Sequence, residues 1–512
     1  KLEVDILGMN KIINFLIYAL IFALPIFFLP FSFEFYVFNK LFLLFFIVSL
    51  LFILTLGKFI RDDELRIART PVDWFLLAFV VFSFISSFLA PARLSAFLGF
   101  YGRFSGSFAE IFLLALFWWL VVQNFSDARE TKIKITALVI PLVLISNLFL
   151  ALFSVFALFN LGSFFPSNAV VKFFQSLFVS PAGFALQGMA IYSAGMLVFL
   201  ISVILLSKVS SDNLFTKKGW VVFCWFLLFV NFAYLVLIDF WAAWVIVIIG
   251  TGIFLGFVIV ERFFRERGNW LTLPLLIVFL SLAFLGLDIH KFLSIRISQE
   301  VLLAFPTSLK TIVSAFFANP IFGSGPGSFW YDFSSYKGEE FLASSFWNLR
   351  FVKSHSAFLE NISSLGVLGF LAMVAFFGVF FLVSYYLLKK QRSDLLPNVS
   401  TSVVSGARYN HYFLLFFIGA SVWFLARILY EDSITLNFYL WLFMALVVIE
   451  WGQVKPGIIK IYRFDFKKFR EFSVVFLSVF IVLILVILAF WWQSSKIYIA
   501  EIYYNKALND SI

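Results

Sequence analysis

Apolar runs of roughly 18 to 25 residues recur along this chain, and short segments rich in Lys, Arg, Asp and Glu separate them. Each run is long enough to cross a bilayer core of about 30 Å as a helix. Continuous runs of this kind, rather than alternating ten-residue strands, leave helices as the spanning structure, because the bilayer offers the backbone no water to bond. The pattern predicts about 13 spans, centred near residues 21, 47, 80, 116, 146, 198, 229, 250, 279, 376, 420, 443 and 482. The first leads into Pro30 and Phe31 instead of a small-residue cleavage site, so it reads as a retained anchor. The expected class is an all-α polytopic membrane protein.

Composition agrees: 63% of the 512 residues are hydrophobic, 13% are charged, and the mean hydropathy is +1.02. A water-soluble fold has no interior large enough for such a chain. The charged connections test the span map, since cytoplasmic loops are enriched in Lys and Arg. The segments 58–69, 129–134, 208–218, 262–267, 389–408 and 455–470, with the two lysines before the first span, hold about 25 of the 38 basic residues. All fall on one side of the map. The net charge of +10 is therefore a matter of topology and attraction to anionic lipid, and nucleic acid is not an expected partner. Cys224, the only cysteine, lies within a span and reads as lipid contact or core filler.

The opposite side carries the longest connection, residues 288–363, and loops of this length are usually functional. Thr307 to Phe317 places Leu309, Ile312, Val313, Phe316 and Phe317 on one helical face, predicting a helix at the membrane surface that ends at Asn319-Pro320. The run Gly323-Ser324-Gly325-Pro326-Gly327 then reads either as a tight turn or as an anion cradle of backbone amides. A phosphate-loop NTPase is excluded, because the following Lys-Ser/Thr is missing. Arg350, Lys353 and His355 fall within six positions shortly before a span. The two cations suit a diphosphate. His355 suits general-base work at neutral pH, whereas His290 reads as an anchor and His411 lies on the basic side. Arg103 sits among small residues just before a span and reads as a snorkelling contact or as a group turned into a cavity. Arg427 has Glu431 at four-residue spacing as its expected partner. Four cations on the side that topology disfavours point to an anionic ligand.

These motifs resemble the O-antigen ligase and O-antigen polymerase (Wzy-C domain) superfamily of bacterial envelope glycan enzymes. Pro320-Ile321-Phe322-Gly323-Ser324-Gly325-Pro326-Gly327-Ser328-Phe329 is similar to its first element. Ser354-His355-Ser356-Ala357-Phe358-Leu359-Glu360 looks like its second, Gly366-Val367-Leu368-Gly369 its third, and Arg103-Phe104-Ser105-Gly106 its early Arg-x-x-Gly. Ser356 stands where the family has Asn, and the Ser-Arg pair common before a middle span is absent from Ile238-Asp239-Phe240-Trp241.

The resemblance implies a GT-C-like fold in the bacterial cytoplasmic membrane with its active site outside, and a metal-independent, cofactor-free inverting transfer. The donor would be a polyprenyl-diphosphate-linked glycan, such as one on undecaprenyl diphosphate, and the acceptor a hydroxyl of a lipid, glycan or protein. It implies His355 as base or orienting group, held by Ser356, with Arg103, Arg350 and Lys353 on the leaving diphosphate and Arg427 and Gly323, Gly325 and Gly327 among the binding residues. The expected organisation is residues 1–287 as nine spans, 288–363 as the catalytic loop, 364–492 as four spans, and 493–512 as a tail like the first helix of a tetratricopeptide repeat. The competing readings are a lipid-linked glycan flippase or other transporter, which would show polar midplane groups and internal repeats, and an envelope scaffold.

Overall fold

The computed structural model describes residues 2–29, 31–32, 37–100, 102–126, 129–158, 186–207, 217–260, 268–287, 301–395, 411–466 and 470–510. Helices α1 (Leu2–Ile26) and α2 (Val37–Arg61) lead into strand β1 (Glu64–Arg69), followed by α3 (Asp73–Leu89), α4 (Arg93–Leu98), α5 (Phe108–Phe125) and α6 (Arg129–Leu158). Next come α7 (Leu186–Ser207), α8 (Lys218–Ile238), α9 (Trp241–Val260) and α10 (Thr272–Gly286). The long connection holds α11 (Phe305–Ala318), α12 (Phe329–Tyr336) and the short α13 (Glu339–Leu342). The chain closes with α14 (Ala357–Leu395), α15 (His411–Leu429), α16 (Ile434–Val454), β2 (Lys460–Asp465) and α17 (Arg470–Asp510).

Among the described residues, 11 helices are long and apolar enough to cross a membrane. The predicted centres near 80 and 146 fall instead in shorter apolar stretches, Asp73–Leu89 and Leu138–Ser154. The core is a helix bundle in which α7 and α16 are enclosed along their whole length and α17 lies at the edge. Burial depends on neighbours here: the same apolar composition faces protein in α16 and the surrounding bilayer in α17. Cys224 is buried and fills core.

Two features depart from the sequence pattern. Strands β1 and β2 pair antiparallel, Glu64 opposite Asp465 through Arg69 opposite Lys460, tying two basic connections together at one end of the bundle. The free edge of β1 is met by Gln123, whose Oε1 accepts from the Ala68 amide at 2.9 Å and whose Nε2 donates to the Arg66 carbonyl. Helix α17 is also continuous through the predicted tail, so residues 493–510 extend a membrane helix.

The opposite end carries the long connection. Helix α11 starts two residues earlier than its pattern suggests and ends at Asn319, as expected. Ile312 is buried toward the protein, while Leu309, Val313 and Phe317 stay exposed. Leu303, Ile312, Phe329 and Phe333 form a second small core that seats this region on the bundle. Helix α14 begins at Ala357 rather than beyond Ser363, and it is broken at Gly366, which has φ 63°. This break organises the site.

Candidate functional site

The break in α14 leaves carbonyls of the upper piece and amides of the lower piece without helical partners. The glycine-rich loop supplies them. Ser324 and Gly325 amides donate to the carbonyls of Ser363 and Ser364 at 3.0 and 2.8 Å. In return Val367 and Leu368 amides donate to the carbonyls of Pro320 and Ile321 at 2.8 and 3.3 Å. Two of the three motif elements are thus one mated backbone structure. The glycines are required by contact as well as conformation: Gly323 has φ +71°, and a Cβ there would lie 2.4 Å from the Ser363 carbonyl oxygen. Gly325 has φ +104° and presses on Ala90 and Ala96, and Gly327 has φ +69° beside Ser107. The Gly323, Ser324 and Gly325 amides are already bonded to backbone, so in this arrangement they are not offered to an anion.

A buried polar network underlies this joint. Ser324 Oγ donates to Asp332 Oδ2 at 2.8 Å, and Ser328 Oγ donates to Ser324 Oγ at 2.8 Å. Burial, opposed by hydrogen bonds from Ser324 and Ser363, pushes the Asp332 carboxyl up to about 7.

The upper piece of α14 carries the second motif element. Ser356 Oγ accepts from the Leu359 amide at 3.3 Å and so caps the helix. It does not orient His355. That ring is held by Leu303, whose carbonyl lies 3.1 Å from Nδ1. A carbonyl only accepts, so Nδ1 carries the hydrogen and a neutral ring presents its lone pair at Nε2. The His355 amide donates to Ser308 Oγ at 3.2 Å, which fixes the backbone beneath the ring. Trp241 lies parallel to the imidazole, with centroids 6.4 Å apart and planes at 12°, and Phe305 stands edge-on at 5.7 Å and 79°.

The cations divide sharply. Arg103 is 2% exposed, held in a narrow turn by an antiparallel bridge between Phe100 and Arg103. Its Nη2 pairs with Glu360, its Nη1 donates to the Val352 carbonyl at 2.5 Å, and its Nε donates to the Ser105 carbonyl at 3.1 Å. Glu360 also accepts from the Ser354 amide at 3.2 Å. Arg103 therefore latches the His355 segment to the bundle and does not face a cavity. Lys353 Nζ pairs with Glu431 at 2.9 Å. Burial works against its charge, but Glu431 outweighs burial and raises the Lys353 pKa above its ordinary value. Arg427 pairs with Asp432 at 3.4 Å and with Asn437 Oδ1, not with Glu431 as its spacing suggested. Burial opposes ionisation of Asp432, yet Arg427 and Arg103 hold its carboxyl below the usual range. Arg350 alone of the four is exposed, with no hydrogen bond or ion pair to another described residue.

Three of the four cations thus have carboxylate partners, which removes most of the argument from unpaired charge. Sequence reasoning missed Glu110, which accepts from Asn437 Nδ2 at 2.9 Å and from the Gly106 amide at 2.6 Å. A carboxylate in an apolar run was the available signal. It also missed Trp241, Phe305 and Leu303, which come to His355 from distant segments with no local pattern to mark them. His290 lies outside the described residues. Among the described residues, no three His, Cys, Asp or Glu side chains converge as a metal site would require. No protein-family model and no curated protein matches the chain.

Proposed function

We propose that this chain is a membrane glycosyltransferase of the O-antigen ligase or polymerase type, moving an oligosaccharide from a polyprenyl diphosphate to an acceptor hydroxyl at the outer face of the bacterial cytoplasmic membrane. The observation that carries this reading is His355: a partly exposed imidazole, fixed through Nδ1 to the Leu303 carbonyl, with Nε2 left for a hydroxyl proton. In the proposed step Nε2 takes the acceptor proton as the acceptor oxygen bonds to the anomeric carbon from the face opposite the diphosphate. The bond from that carbon to the diphosphate oxygen breaks, and the polyprenyl diphosphate leaves with the electron pair. Arg350 and Lys353 are the cations nearest in sequence that can meet the developing charge, Lys353 by exchanging Glu431 for a phosphate oxygen. Arg103 and Arg427 act by holding the carboxylate-rich framework. The reading calls on no metal or cofactor.

A transporter finds less support. Inside the bundle Tyr192 bonds with Tyr439 at 3.3 Å and Asn147 with Asn231 at 2.9 Å, as helix glue does. The test is release of free polyprenyl diphosphate by purified protein given lipid-linked oligosaccharide and an acceptor extract. Wild type should release it and His355→Ala should not, with equal expression. Near-normal release by His355→Ala sinks the base assignment, and absence of release by wild type sinks the enzyme reading.

A further inference from the structure

We propose that the exposed Trp241 ring is a platform that binds the apolar face of a pyranose ring, with Phe305 standing steeply inclined to it as a side wall, and that the sugar's hydroxyl edge is thereby presented to His355; this inference rests on the transferase reading above. Trp241 starts α9 because the chain reverses in two residues, Asp239 and Phe240, with Asp239 in the left-handed region at φ 49°. Asp239 Oδ1 accepts from Trp244 Nε1 at 3.0 Å, which locks that turn. The Trp241 ring is consequently delivered against His355 rather than into the bundle. It remains 48% exposed, and Phe305, edge-on to the same imidazole, remains 46% exposed.

The mixture of groups selects the ligand class. Exposed aromatic rings at the end of a membrane helix often serve as interfacial anchors, but an anchor has no need of a hydrogen-bonding ring held beside it. A hydrocarbon tail would leave His355 Nε2 without a partner, and a free phosphate would gain nothing from an aromatic face. A pyranose satisfies both, with slightly positive C–H groups against the electron-rich ring face and hydroxyls on its rim for Nε2 and the cations that precede it.

The ring belongs either to the acceptor or to the first sugar of the donor, and kinetics separate the two. Wild type, Trp241→Ala and Trp241→Phe would be prepared full-length in lipid nanodiscs, because maltoside detergents carry glucose rings that compete for the platform. Saturation-transfer difference spectra would be recorded with maltotriose, cellotriose and chitotriose as probes. At least one should give signals strongest on its ring C–H protons with wild type, falling at least fivefold in Trp241→Ala and recovering in Trp241→Phe. Equal signals from wild type and Trp241→Ala with every probe overturn the platform. In the release assay, Trp241→Ala should raise one KM by up to about tenfold, the worth of one stacked ring. A rise in acceptor KM places the ring on the acceptor, and a rise in donor KM places it on the donor. A fall in kcat with unchanged KM and a shifted pH profile would show that Trp241 acts only by steadying His355, and would overturn sugar binding. Absence of release from wild type fails the transferase reading, while the spectra still judge the platform.

Discussion

Arg103 and Glu360 show how residue type and environment together decide a role. A guanidinium has five donors in a rigid fork, and here three acceptors from separate segments use it: Glu360, the Val352 carbonyl and the Ser105 carbonyl. Lysine at this position has a single ammonium and cannot span them. Breaking a buried pair leaves an uncompensated charge and typically costs about 3–5 kcal/mol, whereas replacing both partners with apolar groups is often near neutral. Arg103→Met and Glu360→Leu should therefore each lower the unfolding temperature markedly, and the double variant should be more stable than either single one. Thermal unfolding of the four proteins in one detergent provides the cycle. Strictly additive losses would show that the two side chains are not coupled.

At the scale of elements, the joint between the glycine-rich loop and the break in α14 decides where His355 and Glu360 sit. A Cβ at Gly366 would lie 2.5 Å from the Ile321 carbonyl oxygen, in a backbone conformation with φ +63° that disfavours any side chain. Gly378, in the lower piece of the same helix, has nothing within 4 Å of such an atom. Gly366→Ala should open the loop to limited proteolysis, and Gly378→Ala should leave it protected; equal digestion of the two would refute the joint. Asp332 adds a pH dependence. Its folded pKa of about 7 lies above its ordinary 3.8, so between those values the folded state binds more protons than the unfolded. Its contribution favours folding at low pH and is lost as pH rises from about 4 towards 7. The loop should resist protease better at pH 5 than at pH 8, and Asp332→Asn should flatten that difference. Much of this region was legible in the chain: His355 stood near two cations, and the glycines marked a tight turn. Their meaning was not legible, because the bonds that use up the loop amides come from Ser363 and Ser364, some 40 residues away. Likewise the spacing of Arg427 favoured Glu431 until the turn at Tyr430 gave Glu431 to Lys353 and Asp432 to Arg427.

For the whole molecule, long apolar runs make the helical membrane class readable in the chain. The β1–β2 ribbon was not, since two six-residue strands in charged connections nearly 400 positions apart carry no alternating signal strong enough to pair them. The ribbon nevertheless bears on sidedness. Lys58, Arg61, Arg66 and Arg69 meet Lys455, Lys460 and Arg463 at one end of the bundle, and the His355 cluster occupies the other. Basic connections stay in the cytoplasm, so the His355 end should face outward. Because Cys224 is the only cysteine and is buried, Cys224→Ala gives a clean background for labelling. Tyr462→Cys places a thiol at the ribbon, where the native side chain is 44% exposed, and Trp347→Cys places one at the opposite end, where it is 61% exposed. A membrane-impermeant maleimide applied to intact spheroplasts should label Trp347→Cys alone, and both variants once the membrane is permeabilised. Labelling of Tyr462→Cys in intact spheroplasts would invert the molecule. It would place the His355 end in the cytoplasm, away from any lipid-linked glycan already displayed on the outer face, and would remove the setting in which the proposed transfer makes sense.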